Sequence, residues 1–163
     1  EHVIFKGTKK RKAFHVLSRL DSVGGELNAY TSKEETCVYA SFPIEYLNRS
    51  LELLSDIIFY SNFPEQELIK EKEVVIEEIN SYKDAPSDLI FEEFDQELFR
   101  GHSLGNDILG TIKDVKSINR SDVLTFVKKH YVPEKMVISS VGNYSLKKLL
   151  GHLIEVHLLY CYF

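Results

Sequence analysis

Two short runs of aromatic and β-branched residues, at residues 26–31 and 36–42, are separated by only four polar residues. This composition with so short a connection predicts a β-hairpin, because neighbouring strands joined by a short loop pair antiparallel. Much of the remaining chain carries apolar residues at helical spacing. The sequence therefore predicts an α+β fold in which an antiparallel or mixed sheet packs against helices.

The apolar spacing predicts five helices. The first covers residues 13–22 and stops at Gly24-Gly25. Pro43 and Pro64 are expected to begin the second and third, since proline is favoured in a first helical turn, and these end near residues 60 and 82. The fourth is expected to be capped by Ser87 and to reach Leu98, and the fifth covers about residues 121–130.

Two further segments have a distinctive composition. Residues 136–141 (MVISSV), followed by Gly142-Asn143, are typical of a buried strand. Residues 100–110 contain three glycines and predict an irregular loop.

Composition excludes several classes of function. The 163 residues fit one domain, with 20 Lys+Arg against 25 Asp+Glu and a net charge of −5. Only the run at residues 9–12 is strongly basic, so nucleic acid is not the expected partner. There is no stretch of about 18 apolar residues, so no membrane span is expected. The two cysteines, Cys37 and Cys161, predict no disulfide framework, and a metal site would need His and carboxylate.

The third predicted helix is rich in glutamate. Glu71 and Glu78 are seven positions apart, almost two turns, so both point from one face, whereas Glu77 projects about 100° away. That face also carries Val74 and Val75, and burying carboxylates beside valines is costly unless a cation or a hydrogen-bond donor is present. A solvated helix face is the common alternative for such a sequence.

The order of short motifs is more specific than any one of them. In sequence order the motifs are Glu1-His2, FKGT at 5–8, GGELNAYT at 24–31, ETCVY at 35–39, VVIEEI at 74–79, and HSLG at 102–105 with ILG at 108–110. Together these resemble the pitrilysin/insulinase family of zinc peptidases, whose signature is the inverted motif H-x-x-E-H. The resemblance is closest to bacterial members similar to the β subunit of the mitochondrial processing peptidase, and it extends over about residues 1–144.

The resemblance implies roles for four residues. His2 would be a zinc ligand, and Glu78 would be the distant carboxylate ligand. Glu1 would be the general base, and Glu71 would support the site through hydrogen bonding or water positioning. Such a site fits metal-assisted peptide hydrolysis, because zinc makes the proton of a bound water easier to remove and an adjacent carboxylate takes that proton.

The resemblance also implies a substrate site on the predicted hairpin. The strand containing Asn28 and Ala29 would receive a peptide substrate in extended conformation, added to the sheet edge by backbone hydrogen bonds. An ordinary hairpin strand is the alternative. A zinc-dependent endopeptidase acting on short or unfolded peptides is therefore expected, with a second half or subunit and homodimerisation implied by the family.

The first His of H-x-x-E-H would lie three residues before Glu1, outside the printed sequence, so we expect residues 1–163 alone to be inactive. Residues 1–144 are expected to form the N-terminal catalytic domain, and 145–163 a following segment or a truncated tail. Two alternatives stay open: a non-catalytic structural or substrate-binding subunit of the same family, and a truncated product without stable function. The compartment stays open, and the cytoplasm is favoured on the condition that no leader precedes residue 1, because the sequence predicts no disulfide framework.

Overall fold

The computed structural model describes residues 1–156, with the exception of the side chain of Asp88. It confirms an α+β architecture, in which a two-stranded sheet precedes most of the helices. The elements in chain order are α1 (Ala13–Asp21), β1 (Glu26–Thr31), β2 (Thr36–Ser41), α2 (Leu47–Tyr60), α3 (Glu65–Lys83), α4 (Pro86–Leu98), α5 (Ile112–Ser117), α6 (Arg120–His130) and α7 (Leu146–Glu155). Among the described helices, none combines the length and apolar character needed to cross a membrane.

The predicted hairpin is confirmed, and it packs on the principal core. β1 and β2 pair antiparallel, with Asn28 opposite Tyr39 and Ala29 opposite Val38. Alternate residues of the two strands, Leu27, Val38 and Ala40, lie against a buried cluster. This cluster consists of Ile4, Val16, Leu20, Leu53 and Ile57. The hairpin, α1, α2 and the first residues of the chain therefore share one core.

A second apolar cluster joins α2 to the last described helix. Leu47 and Leu51 of α2 pack against Leu149 and Leu153 of α7. Neither α7 nor the short α5 is among the predicted helices. The α5 segment has a clear capping signal, since the Thr111 hydroxyl accepts a hydrogen bond from the backbone N–H of Asp114. Residues 157–163 of the predicted 145–163 segment, including Cys161, lie outside the described residues.

Two predictions about local structure are wrong. Residues 136–141 do not form a strand: no strand of the described residues pairs with them, and Val137 and Val141 are 95% and 98% exposed. A β-type composition specifies a strand only where a neighbour supplies hydrogen bonds and an apolar surface. Ser87 does not cap α4, because Pro86 takes the first helical position and Ala85 stands at the N-cap.

A tight turn at residues 61–63 fixes the start of α3 relative to the first residues of the chain. The buried Phe63 has a φ of 45°, an uncommon left-handed conformation for a non-glycine residue. Arg120 holds this turn by donating hydrogen bonds of 2.8 Å to the carbonyls of Asn62 and Phe63. On its other side, the Ser61 hydroxyl donates to the Ile4 carbonyl at 2.9 Å. The turn thus connects the N-terminal segment to α3.

A buried ion-pair network fastens the same segment to α2. Arg11 pairs with Asp56 and, through two bonds of 2.7 and 2.8 Å, with Glu52. The Thr8 hydroxyl donates to Asp56 at 2.8 Å. The side chain of Asp56 is only 1% exposed, so its charge depends on these partners.

Replacing Asp56 by Asn should lower the free energy of unfolding by about 2–4 kcal/mol, because Arg11 then loses one of its two carboxylate partners in a partly desolvated position. Chemical denaturation of the two proteins measures this difference. Glu45→Gln, at an exposed position of the same region, is the control and should cost less than about 0.5 kcal/mol. Equal stabilities for Asp56→Asn and the control would contradict the assigned role.

Candidate metal centre

The first residues of the chain form a helix-like turn anchored in the core. The Ile4 N–H donates to the Glu1 carbonyl at 3.0 Å, and Ile4 is 2% exposed within the principal apolar cluster. His2 precedes this anchor by two residues, and its side chain is one-third exposed. The imidazole is therefore held at the protein surface by a turn that Ile4 anchors in the core.

On α3, Glu71 and Glu78 lie on one face as helical spacing predicts, but Val74, predicted for the same face, is 46% exposed. Glu71 and Glu78 are partly buried, whereas Glu73 and Glu77 are exposed. Glu71 is the more enclosed of the pair, with a side chain 13% exposed against 40% for Glu78. The helix therefore directs the carboxylates of Glu71 and Glu78 toward His2 and leaves Glu73 and Glu77 in solvent.

The structure brings Glu1, His2, Glu71 and Glu78 together, with the imidazole at the centre. His2 Nε2 lies 3.5 Å from Glu78 Oε2 and 3.6 Å from Glu1 Oε2. His2 Nδ1, on the other side of the ring, lies 3.4 Å from Glu71 Oε2. The two ring nitrogens thus face different carboxylates: Nε2 faces Glu1 and Glu78, and Nδ1 faces Glu71.

Lys6 contributes the one cationic partner found for these carboxylates among the described residues. Its ammonium forms an ion pair with Glu71 Oε1 at 2.7 Å, so Glu71 contacts Lys6 through one oxygen and His2 through the other. The side chains of the cluster carry three negative charges and one positive charge when His2 is neutral. Carboxylates this close together repel one another, and a divalent cation would offset that repulsion.

The donor types fit zinc, which binds imidazole nitrogen and carboxylate oxygen. His2 Nε2 and Glu78 Oε2 are the pair that would hold it, with Glu1 adjacent. Of the four clustered side chains, only His2 and Glu78 would bind the metal directly, and within residues 1–156 no group of three or more His, Cys, Asp or Glu side chains is arranged to hold a metal ion. The site in this chain matches a zinc site in chemistry and falls short of one in ligand number.

Asn28 and Ala29 lie on β1, whose Leu27 packs on the same core cluster as Ile4. No hydrogen bond or ion pair between described residues joins either of them to His2. β1 pairs only with β2 among the described strands, so its other edge is open. The Ala29 N–H donates to the side-chain oxygen of Asn28 at 2.9 Å, which occupies one donor of the exposed strand.

Two residues of this region were not singled out from the sequence. Lys6 could have been noticed, because the FKGT motif contains it, but its contact with Glu71 depends on how α3 packs against the first turn. Tyr131 packs against the principal core cluster. Burial, followed by the negative charge of Glu1, raises the pKa of Tyr131 above its ordinary value of 10.0.

Family models identify the class of protein. The model described as insulinase (peptidase family M16) matches residues 1–112, and the model described as the peptidase M16 inactive domain matches residues 117–153. The chain belongs to the insulinase (peptidase M16) family.

Relatives and solved structures are consistent with this membership. The chain is 43% identical over 145 residues to the "uncharacterized zinc protease YmxG" of Bacillus subtilis, covering 89% of this chain and 36% of that protein. It is 36% identical over 142 residues to the "probable mitochondrial-processing peptidase subunit beta" of Arabidopsis thaliana, covering 87% and 27%. The crystal structure of a protease from Helicobacter pylori superposes with a TM-score of 0.90 at 26% identity, covering 95% and 38%. The chain thus spans about a third of the length of these proteins.

The raised pKa of Tyr131 predicts a loss of stability at high pH. The unfolded chain releases the phenol proton near pH 10, whereas the folded chain retains it to higher pH, so the free energy of unfolding falls as the pH rises above about 10. Tyr131→Phe should make this decline shallower. Denaturation at several pH values measures the slope of this decline, and Tyr39→Phe is the control because Tyr39 is exposed. A decline of the same slope in Tyr131→Phe and wild type would show that Tyr131 does not cause it.

Proposed function

We propose that this chain forms part of a zinc-dependent endopeptidase and supplies His2 and Glu78 as metal ligands. The observation that carries the proposal is the orientation of His2, whose Nε2 faces Glu78 and Glu1 while Nδ1 contacts Glu71. In metal-binding histidines, a carboxylate on the second ring nitrogen fixes the ring and its tautomer. The names of relatives as zinc proteases support zinc as the metal.

Glu1 is the proposed general base. Its carboxylate stands beside the metal-facing nitrogen of His2 at 3.6 Å, close enough to take a proton from a water molecule located between Glu1 and the metal position. The same oxygen would then pass the proton to the leaving amine. Zinc, when bound, supplies a positive charge that lowers the pKa of water and polarises the scissile carbonyl.

The open edge of β1 is the proposed binding site for the substrate. An extended peptide would add to it as a further strand, which selects an unfolded segment over a folded protein because the peptide backbone must be free to pair. For this pairing, the Asn28 side chain has to release the Ala29 N–H that it accepts in the free chain. Asn28 then becomes available to bond the peptide.

Residues 1–163 alone are expected to lack turnover. Two donors leave zinc weakly held, and the motif of the family places a further His three residues before Glu1. We propose that this His, together with a second half or subunit, completes the enzyme. A non-catalytic structural or substrate-binding subunit is the alternative function, and the presence of Glu1, His2, Glu71 and Glu78 in one cluster supports the enzyme over it.

Glu78→Gln should weaken zinc binding by at least about tenfold, because the amide oxygen is a poorer ligand than a carboxylate. Glu77→Gln is the matched control on the same helix, since Glu77 is exposed and its side chain points away from the site. Isothermal titration of the metal-free chain with zinc measures both affinities.

Equal affinities for wild type, Glu78→Gln and Glu77→Gln would contradict Glu78 as a ligand. If His2→Ala also binds zinc as wild type does, the metal is held elsewhere and the proposed site is wrong.

Ala29→Pro should abolish the binding of a short unstructured peptide to the zinc-loaded chain, because proline removes the N–H that the added strand needs. The substitution should leave β1–β2 pairing intact, since this N–H bonds to Asn28. Ala29→Ser keeps the N–H and is the control. Fluorescence polarisation reports peptide binding, and zinc content should be the same in all three proteins. Unchanged peptide affinity in Ala29→Pro would rule out the β1 edge.

A further inference from the structure

Lys6 is a charged residue at the metal centre for which the proposed chemistry has no direct use. It lies four residues after His2 and its side chain is 27% exposed. Its ammonium approaches Glu71 Oε1 to 2.7 Å, which is the shortest contact in the cluster. The contacts of His2 with the three carboxylates are longer, between 3.4 and 3.6 Å. The best-defined interaction at this centre is therefore the pair between Lys6 and Glu71.

The two oxygens of Glu71 have separate partners. Oε1 forms the ion pair with Lys6, and Oε2 faces His2 Nδ1. With Oε1 paired to an ammonium, the carboxylate cannot rotate or swing toward the Nε2 side without breaking an ion pair at a side chain that is only 13% exposed. The pair thus keeps Glu71 on one side of the ring and leaves the other side to Glu78 and Glu1.

We propose that Lys6 is a positioning residue for the metal site. It anchors Glu71 so that this carboxylate orients the His2 ring and stays out of the metal position. This inference rests on the proposed function, because it assigns Lys6 a part in holding the zinc ligand His2. Lys6 itself touches neither metal nor substrate.

A simple charge effect makes the opposite prediction, which allows a clear test. If Lys6 only adds positive charge near the site, removing it strengthens zinc binding, because like charges repel. If Lys6 positions Glu71, removing it weakens zinc binding, because the ligand imidazole loses its support. The sign of the change in affinity therefore separates the two roles.

The test measures zinc affinity of the metal-free 163-residue chain by titration calorimetry. Lys6→Met should bind zinc about tenfold more weakly than wild type, the size of effect typical of an outer partner of a metal ligand. Lys6→Arg retains a cationic donor and should restore most of the affinity. Lys70→Met is the control, since Lys70 is two-thirds exposed and pairs with Glu67 on the same helix, and it should change the affinity by less than about twofold.

Dependence on Glu71 is tested in a double-mutant cycle. In a Glu71→Gln background, Lys6→Met should cause no further weakening, because Lys6 acts through that carboxylate. Thermal denaturation of each variant should show that all are folded at the titration temperature.

The outcomes distinguish this inference from the proposed function. Unchanged or tighter zinc binding in Lys6→Met, with binding still abolished in His2→Ala, would overturn the role of Lys6 alone. The role of Lys6 would also be overturned if Lys6→Met weakened zinc binding by the same factor in the Glu71→Gln background as in the wild-type background. Wild-type chain that binds no zinc through His2 would overturn both, since Lys6 would then have no metal ligand to position.

Discussion

The central physical constraint in this molecule is the gathering of three carboxylates around one imidazole. Glu1, Glu71 and Glu78 each lie within 3.6 Å of His2, and Lys6 offsets one of the three negative charges. Partly buried like charges destabilise a fold unless a cation or hydrogen-bond donors compensate them. A protein that retains such a cluster gives up stability for a function. A divalent metal ion is the partner whose positive charge would balance the negative charge that Lys6 leaves uncompensated.

The rest of the fold holds the N-terminal turn, which carries Glu1 and His2, beside α3, which carries Glu71 and Glu78. The turn carrying Glu1 and His2 is anchored by Ile4 in the core, and the turn at residues 61–63 bonds to it from the start of α3. Arg120, the first residue of α6, donates hydrogen bonds to the carbonyls of residues 62 and 63. The direction of α3 therefore depends on α6 as well. The inward placement of Glu71 and Glu78 follows from the direction in which α3 leaves this turn.

Much of this architecture could be predicted from local signals. The hairpin, the five helices and the shared face of Glu71 and Glu78 follow from periodicity. The strand predicted at 136–141 failed because a strand depends on neighbours that local composition does not reveal. The pair between Lys6 and Glu71 was equally inaccessible, since the sequence separation of its partners gives no sign that α3 passes beside the first turn. The assignment of Glu1, His2 and Glu78 depended on motif resemblance, and the structure brings these three side chains together.

The most direct test of the account is to read the source DNA at the codon three positions before the codon for Glu1. The account treats Glu1-His2 as the end of an H-x-x-E-H motif, whose two histidines lie on one face of a helical turn and bind the same metal ion. It predicts a histidine codon there, which would add the further ligand that the cluster of His2 and Glu78 needs. Any other residue would contradict the account, leaving a pair of donors that cannot form a catalytic zinc site and favouring a non-catalytic subunit.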